Sequence, residues 1–345
     1  MKKLFRGVAL LLVIGVSLVF SSLGARAAAP LATNGYRVSP VRTDLTVKPG
    51  KSTALTVYIQ NASSAVEHLQ VVVNDFQAPT DESGNPALLL NGATAPDHSL
   101  KQFVSIPDKT FTLQPGQQMP VTVNIAVPAG TPGGGYYGAI RFAPVGAGGD
   151  KNVNLNASVA SLVLITVPGN ISEQVSIAGF GAAQVPKGQS VTTASLRTIF
   201  FNNKNLKAIV RFQNSGNVQE QPFGKVVLKK GSKVLATYNV NKSDSPGNVL
   251  PDSIRRFSVD LNDVGSFGKY KIEGNFGYGS KGQLLTATAT FYVIPLIFII
   301  IAILIILLIL FLIFGLPRVM RRYNRRVIAR ANRANARSNH HSQYR

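Results

Sequence analysis

Residues able to do chemistry are few in this chain, and they are scattered. Cysteine is absent, which removes thiol nucleophiles, thiolate metal sites and haem attachment through sulfur. His68 and His98 are the only histidines before the C-terminal tail. A histidine-assisted serine or threonine would need a third, orienting group, and no G-x-S-x-G turn occurs. His68 opens a strand pattern and His98 lies in an irregular loop, so each reads as structural or solvated. Asp81-Glu82-Ser83-Gly84-Asn85 is rich in oxygen donors but lacks the alternating spacing and closing glutamate of a calcium loop. It reads as a solvated turn, as does Asp260-Leu261-Asn262-Asp263. No catalytic residue, metal ligand or cofactor site is assigned, and the chain is expected not to be an enzyme.

Two further features could bind rather than react. Gly133-Gly134-Gly135 could cradle a phosphate if a helix and a lysine followed. A strand pattern, Tyr136 to Phe142, follows instead, so the glycines are expected to form a tight crossover. Tyr136 and Tyr137 are the candidate contacts for a glycan or a partner, because aromatic faces stack on sugars. Strand alternation sends the two to opposite faces. One is therefore expected in the core, and at most one at a ligand.

The arginines after residue 317 carry a different kind of information. They follow Phe291 to Leu316, a stretch without a charged residue. Ile294 to Leu316 is long enough to cross a bilayer as one helix, since roughly 20 apolar residues span the hydrocarbon core. It has no polar face that could meet water. The tail carries nine arginines and no acid, which places it in the cytoplasm and the N-terminal bulk outside. Arg318, Arg321, Arg322, Arg325 and Arg326 have helical spacing and are expected against lipid headgroups. At the other end, Lys2, Lys3 and Arg6 precede an apolar run from Val8 to Phe20 and then Ala25-Arg26-Ala27. This is the pattern of a signal peptide cleaved near Ala27. An uncleaved anchor would instead give two spans with both ends inside.

Topology accounts for much of the basic charge. The net charge is +21; taking away four positive charges of the signal region and nine of the tail leaves +8 on the exported part. The high pI therefore does not indicate nucleic acid, and none is expected as a partner. An exported chain without disulfides must be held by its core, and its length suffices for that.

The elements in between are short β runs separated by turn residues. Ser52 to Asn61 (STALTVYIQN) alternates, with Leu55, Val57 and Ile59 on one face. His68 to Phe76, Phe103 to Ile106, Thr110 to Leu113, Pro120 to Val127, Tyr136 to Phe142 and Val153 to Val167 follow. A second series comprises Ile171 to Phe180, Thr193 to Phe201, Leu206 to Asn214, Gly224 to Lys229, Val234 to Val240, Arg255 to Leu261, Gly268 to Tyr278 and Leu284 to Val293. Turns about every ten residues indicate sandwiches. The expected fold is all-β: two tandem immunoglobulin-like β-sandwich domains and a single C-terminal transmembrane helix. The expected order is a signal peptide over 1–27, a first sandwich over 30–168, a membrane-proximal sandwich over 169–293, a span over 294–316 and a basic tail over 317–345. Each sandwich has a strand that ends in asparagine, at Gln60-Asn61 and Gln213-Asn214, an echo of fold rather than a sequence repeat.

The first series reads VSPVRTDLTVKPGKSTALTVYIQN and FTLQPGQQMPVTVNIAVPAGTPGGGYYGAIRF; the second reads NVLPDSIRRFSVDL and GKYKIEGNFGYGSKGQLLTATATFYVIP. These stretches, in this order, resemble the WxL-interacting proteins of Gram-positive bacteria. The resemblance implies a peptidoglycan-binding first domain and a second domain that meets a partner surface or a WxL-type protein. It carries over a role and no site residue. The expected function is a membrane-anchored cell-surface scaffold holding wall polymer, a partner surface protein, or both. An accessory subunit or chaperone-like module of an envelope complex is the alternative, and an envelope hydrolase lacks its acid–base residues.

Overall fold

A computed structural model describes residues 35–90, 92–95, 97–145 and 158–342. The signal peptide expected over 1–27 lies outside them. The chain divides into two compact units. One comprises the chain up to Gln77 and Leu88–Asn170; the other comprises Ala78–Ala87 and everything from Ile171 onward.

The first unit contains β1 (Tyr36–Ser39), β2 (Arg42–Thr46), β3 (Ser52–Asn61), β4 (Glu67–Gln77), β6 (Val104–Ser105), β7 (Thr110–Leu113), β8 (Gln118–Ala126), β9 (Gly134–Pro144) and β10 (Val159–Val167), and β5 (Ala87–Leu88) falls at its boundary. One sheet has the order β1-β3-β8-β6; the other has β2-β10-β9-β4-β5, with β7 also on β4. The alternation legible in β3 sends Val57 and Ile59 inward, where they meet Val123 and Ile125 of β8 and Ile140, Phe142, Val163 and Ile165 of the facing sheet. Each such side chain contributes about 1.5–3 kcal/mol by leaving water.

The second unit contains β11 (Val175–Gln184), β12 (Ile199–Phe200), β13 (Leu206–Asn214), β14 (Phe223–Lys230), β15 (Lys233–Val240), β16 (Ser253–Asp260), β17 (Gly268–Tyr278) and β18 (Gln283–Val293). Its sheets run β11-β13-β16 and β12-β18-β17-β14-β15, with Phe212, Phe276, Ile272 and Phe291 in the core between them. The strand expected over Thr193 to Phe201 is reduced to the two residues of β12. The reason is a change of sheet: the Arg197 amide bonds the Ala182 carbonyl of β11, and the next carbonyl, Thr198, accepts from Tyr292 of β18.

The asparagine echo is a shared device. Asn61 is fully buried; its amide donates to the Ala65 and Leu113 carbonyls (2.7 and 3.2 Å) and its oxygen accepts from the Ser63 amide at 2.9 Å. Asn214, also fully buried, bonds the Val218 and Val249 carbonyls (2.7 and 2.9 Å) and the Gly216 amide at 2.9 Å. Each side chain thus ties its own turn, two and four residues on, to a distant segment of its unit.

After Pro295 the chain forms α1 (Leu296–Leu310), a π-helical turn at Phe311–Gly315 and α2 (Leu316–Ser342). By length and composition the helical stretch Leu296–Arg330 can cross a membrane. The widened turn precedes Pro317, which has no N–H to give the helical ladder. The helix begins two residues later than the Ile294 expected from hydropathy, because Ile294 still donates to the Phe200 carbonyl of the sheet at 2.8 Å.

Candidate functional site

The fold separates the two histidines. The Val145 amide bonds the His68 carbonyl and the Tyr137 amide bonds the His98 carbonyl, so they stand near opposite ends of β9. At ~3.3 Å per residue that is roughly 25 Å, too far for one site. His68 Nδ1 lies 2.8 Å from Thr112 Oγ1 on an exposed surface. Among the described residues, no group of three or more histidine and carboxylate side chains could hold a metal ion.

The candidate surface lies on the outer face of the sheet formed by β2, β10, β9 and β4. Alternation along β9 places Tyr136, Ile140 and Phe142 in the core and sends Tyr137, Ala139 and Arg141 the other way. Register sets Leu164 and Tyr137 side by side, then Leu162, Ala139 and Asn74, then Ala160, Arg141 and Val72. The two tyrosines therefore do occupy opposite faces, yet both are buried, Tyr136 at 6% and Tyr137 at 2% exposure. Tyr136 packs edge-on against Phe103 (ring centroids 5.0 Å) and donates to the Pro132 carbonyl at 2.9 Å; burial raises its hydroxyl above the ordinary range. Tyr137 lies against Phe76 and His98, with centroids at 5.9 and 5.6 Å. Neither ring offers an open face.

On this surface Arg42 and Asp44 of β2, beside Leu162 and Leu164, pair with each other at 2.9 Å, and Asn74, His98 and Arg141 are further polar groups. The His98 ring donates from Nδ1 to the Gly135 carbonyl at 2.7 Å, which fixes it beside Tyr137. Asp75, fully buried, accepts from the Lys101 and Ala95 amides (2.9 and 3.2 Å) and ties the loop that carries His98 to β4. The Arg141 Nε donates to Asn74 Oδ1 at 3.0 Å, and Asn74 is in turn held by the Leu89 carbonyl at 2.9 Å. Burial lowers the Arg141 pKa from the usual arginine range. Among the described residues Arg141 forms no ion pair. A half-buried guanidinium held at Nε and without an ion pair suits a bidentate carboxylate. Sequence reasoning missed it because Arg141 sits in an unremarkable strand; only the register reveals its neighbours.

The glycine run does what a crossover requires. A Cβ on Gly133 would lie 2.7 Å from the Gly169 Cα and the Asn170 nitrogen, so two backbones touch there. Gly138 leaves room for Leu100, which a Cβ would meet at 3.0 Å.

In the second unit the acidic loop is not a solvated turn. Glu82, 17% exposed at its side chain, forms ion pairs with Arg211 and Arg256; Arg211 Nε lies at 2.8 Å and Arg256 Nε at 3.2 Å. The Arg256 amide also bonds the Glu82 carbonyl at 3.0 Å. The Arg211 hydrogen bond lowers the carboxyl pKa most, with Arg256 adding to it. Asp260 pairs with Lys207 at 2.5 Å and Asp263 accepts from Tyr238 at 2.7 Å, so that cluster serves structure too. A second carboxylate pair sits at the β17–β18 turn. Glu220 accepts from the Gly279 amide at 3.1 Å, and Glu173 accepts from the Ser280 amide and hydroxyl at 3.0 and 2.9 Å. Burial first, and the Glu173 charge second, push Glu220 up to about 7. Arg318, Arg321, Arg322, Arg325 and Arg326 are all exposed on α2, and Arg318 also donates to the Phe314 carbonyl at 2.7 Å.

Residues 43–144 match the sequence profile of the WxL Interacting Protein peptidoglycan binding domain. The resemblance read from the turn and strand residues thus holds over the stretch from β2 to the end of β9. No curated protein matches the chain. Solved structures that the chain matches include the class 5 fimbriae chaperone CfaA (13% identity, 74% of this chain and 98% of that one, TM-score 0.35). The CupB2 chaperone of Pseudomonas aeruginosa (11%, 73% and 98%, 0.32) and the E. coli chaperone DraB (12%, 75% and 96%, 0.29) are others.

Proposed function

We propose that this chain is a membrane-anchored surface protein whose first unit holds cell-wall peptidoglycan. The observation that carries the reading is the peptidoglycan-binding profile over residues 43–144, which takes in β4 and β9 with Asn74, His98 and Arg141. Peptidoglycan is a sugar polymer carrying peptide carboxylates, and the Arg141 fork is the group suited to one of them. Tyr137 enters as the support that fixes His98, and Tyr136 as the support for the loop before β9. The role is binding, without bond cleavage. The apolar helix is the anchor, with the N-terminal bulk outside and the arginine tail against the inner headgroups. The second unit is then presented to a partner surface protein of WxL type. The test is incubation of the full chain in detergent with purified peptidoglycan. Retention of the chain on the polymer without soluble muropeptides supports the reading; release of muropeptides, or no retention, counts against it.

A further inference from the structure

We propose that the second unit rests on the bilayer surface through an aromatic collar formed by Phe201, Phe267 and Tyr292, with Lys230 and Lys269 among the rings. This rests on the reading of α1 as a membrane span. Three facts of register gather these residues at the end of the unit from which the helix leaves. Val293 pairs with Gly268, which sets Phe267 just beyond the last pair, and Phe200 pairs with Val293, which does the same for Phe201. Tyr292 pairs with Lys269 on the neighbouring strand. Phe291 and Tyr292 are adjacent aromatic residues just before the span. The structure divides them: Phe291 is buried in the core, stacked on Tyr270, whereas Tyr292 is 38% exposed. Phe267 and Phe201 are 54% and 49% exposed.

The depth of the collar follows from one contact. The Phe267 ring lies 5.2 Å from that of Phe298, in the first turn of α1. If the first turn enters hydrocarbon, Phe267 stands at its boundary, where amphipathic and aromatic side chains are favoured. The lysines suit the headgroup layer just outside. Lys230 Nζ donates to the Phe267 carbonyl at 3.1 Å, and Lys269 Nζ lies 5.9 Å from the Tyr292 ring centroid. Both keep apolar stems beside the rings while their charges can meet phosphate. The exposed Phe223 and Leu284 face each other across Gly277 near the opposite, β17–β18 turn end, and are not part of this surface.

The chain contains no cysteine, so single-site labelling has no background. The full chain is placed in phospholipid vesicles with an environment-sensitive dye on Phe201→Cys, Phe267→Cys, Ile306→Cys within the span, or Lys281→Cys at the far turn. Dyes at 201 and 267 are expected to be quenched most by lipid-borne quenchers set about 15 Å from the bilayer centre, half of a ~30 Å core. The dye at 306 is expected to respond to the deepest quenchers, and that at 281 only to aqueous iodide. If 201 and 267 behave like 281 while 306 remains deep, the collar is wrong and the span stands. If 267 is shielded from iodide yet unreached by lipid quenchers, protein covers it and lipid is the wrong occupant. If 306 is not reached from lipid, the span fails and the collar with it.

Discussion

Glu220 and Glu82 are carboxylates of one unit with opposite responses to pH. Glu220 is held at about 7 by burial and by Glu173. Its folded-state pKa lies above the ordinary value, so its contribution is full below the unfolded pKa near 4.5 and is lost as pH rises through about 7. Glu220→Gln keeps an acceptor for the Gly279 amide and removes the charge. It is expected to stabilise the unit by about 2 kcal/mol above pH 7 and to change little below the ordinary carboxylate range. Thermal melts across pH read this directly. Glu82 runs the other way: Arg211 and Arg256 hold its pKa low, so its contribution exists above the unfolded pKa and is lost as pH falls. Glu82→Gln is expected to cost about 1–3 kcal/mol at neutral pH, because two half-buried guanidinium groups lose their anion. The cost should vanish on acidification. Neither behaviour was legible in the sequence. Glu82 sits in a loop of polar residues that reads as solvated, and its partners lie 129 and 174 positions away.

At the scale of elements, much was legible, for a physical reason. A half-buried strand must alternate, and Leu55, Val57 and Ile59 do so in sequence and in space. The repeated asparagine was also visible, but not its purpose, which depends on which carbonyls the fold brings to it. Asn61→Ala and Asn214→Ala are each expected to cost about 1–2 kcal/mol, since each removes two hydrogen bonds to carbonyls and one from a turn amide; denaturant midpoints of the two variants would show it. Gly133 was read correctly as part of a crossover, though the cause is the close approach of Gly169 rather than an unusual backbone angle. Gly133→Ala is expected to destabilise the first unit by about 1–3 kcal/mol, as backbone atoms at 2.7 Å cannot yield cheaply. Less legible was the burial of both Tyr136 and Tyr137. Alternation gave their opposite faces, but the loop carrying His98 covers the outer one. Thr193 to Phe201 was misread because a run that changes sheets has the same composition as one that stays in a ladder.

For the whole molecule, the apolar stretch and the arginine tail organise everything else, and the charge balance follows from them. What composition could not supply is the surface we propose for the ligand. That comes from the register of β4, β9 and β10, which sets Arg141 between Val72 and Ala160 and within hydrogen-bond reach of Asn74. The account stands most directly on one measurement: co-sedimentation of the full, detergent-solubilised chain with insoluble, protein-free peptidoglycan. It predicts saturable transfer of the chain to the pellet, weakened roughly 5- to 30-fold by Arg141→Ala, the loss of one charge-assisted hydrogen-bonded contact. A chain that stays in the supernatant at every polymer concentration, with its first unit folded, would contradict it.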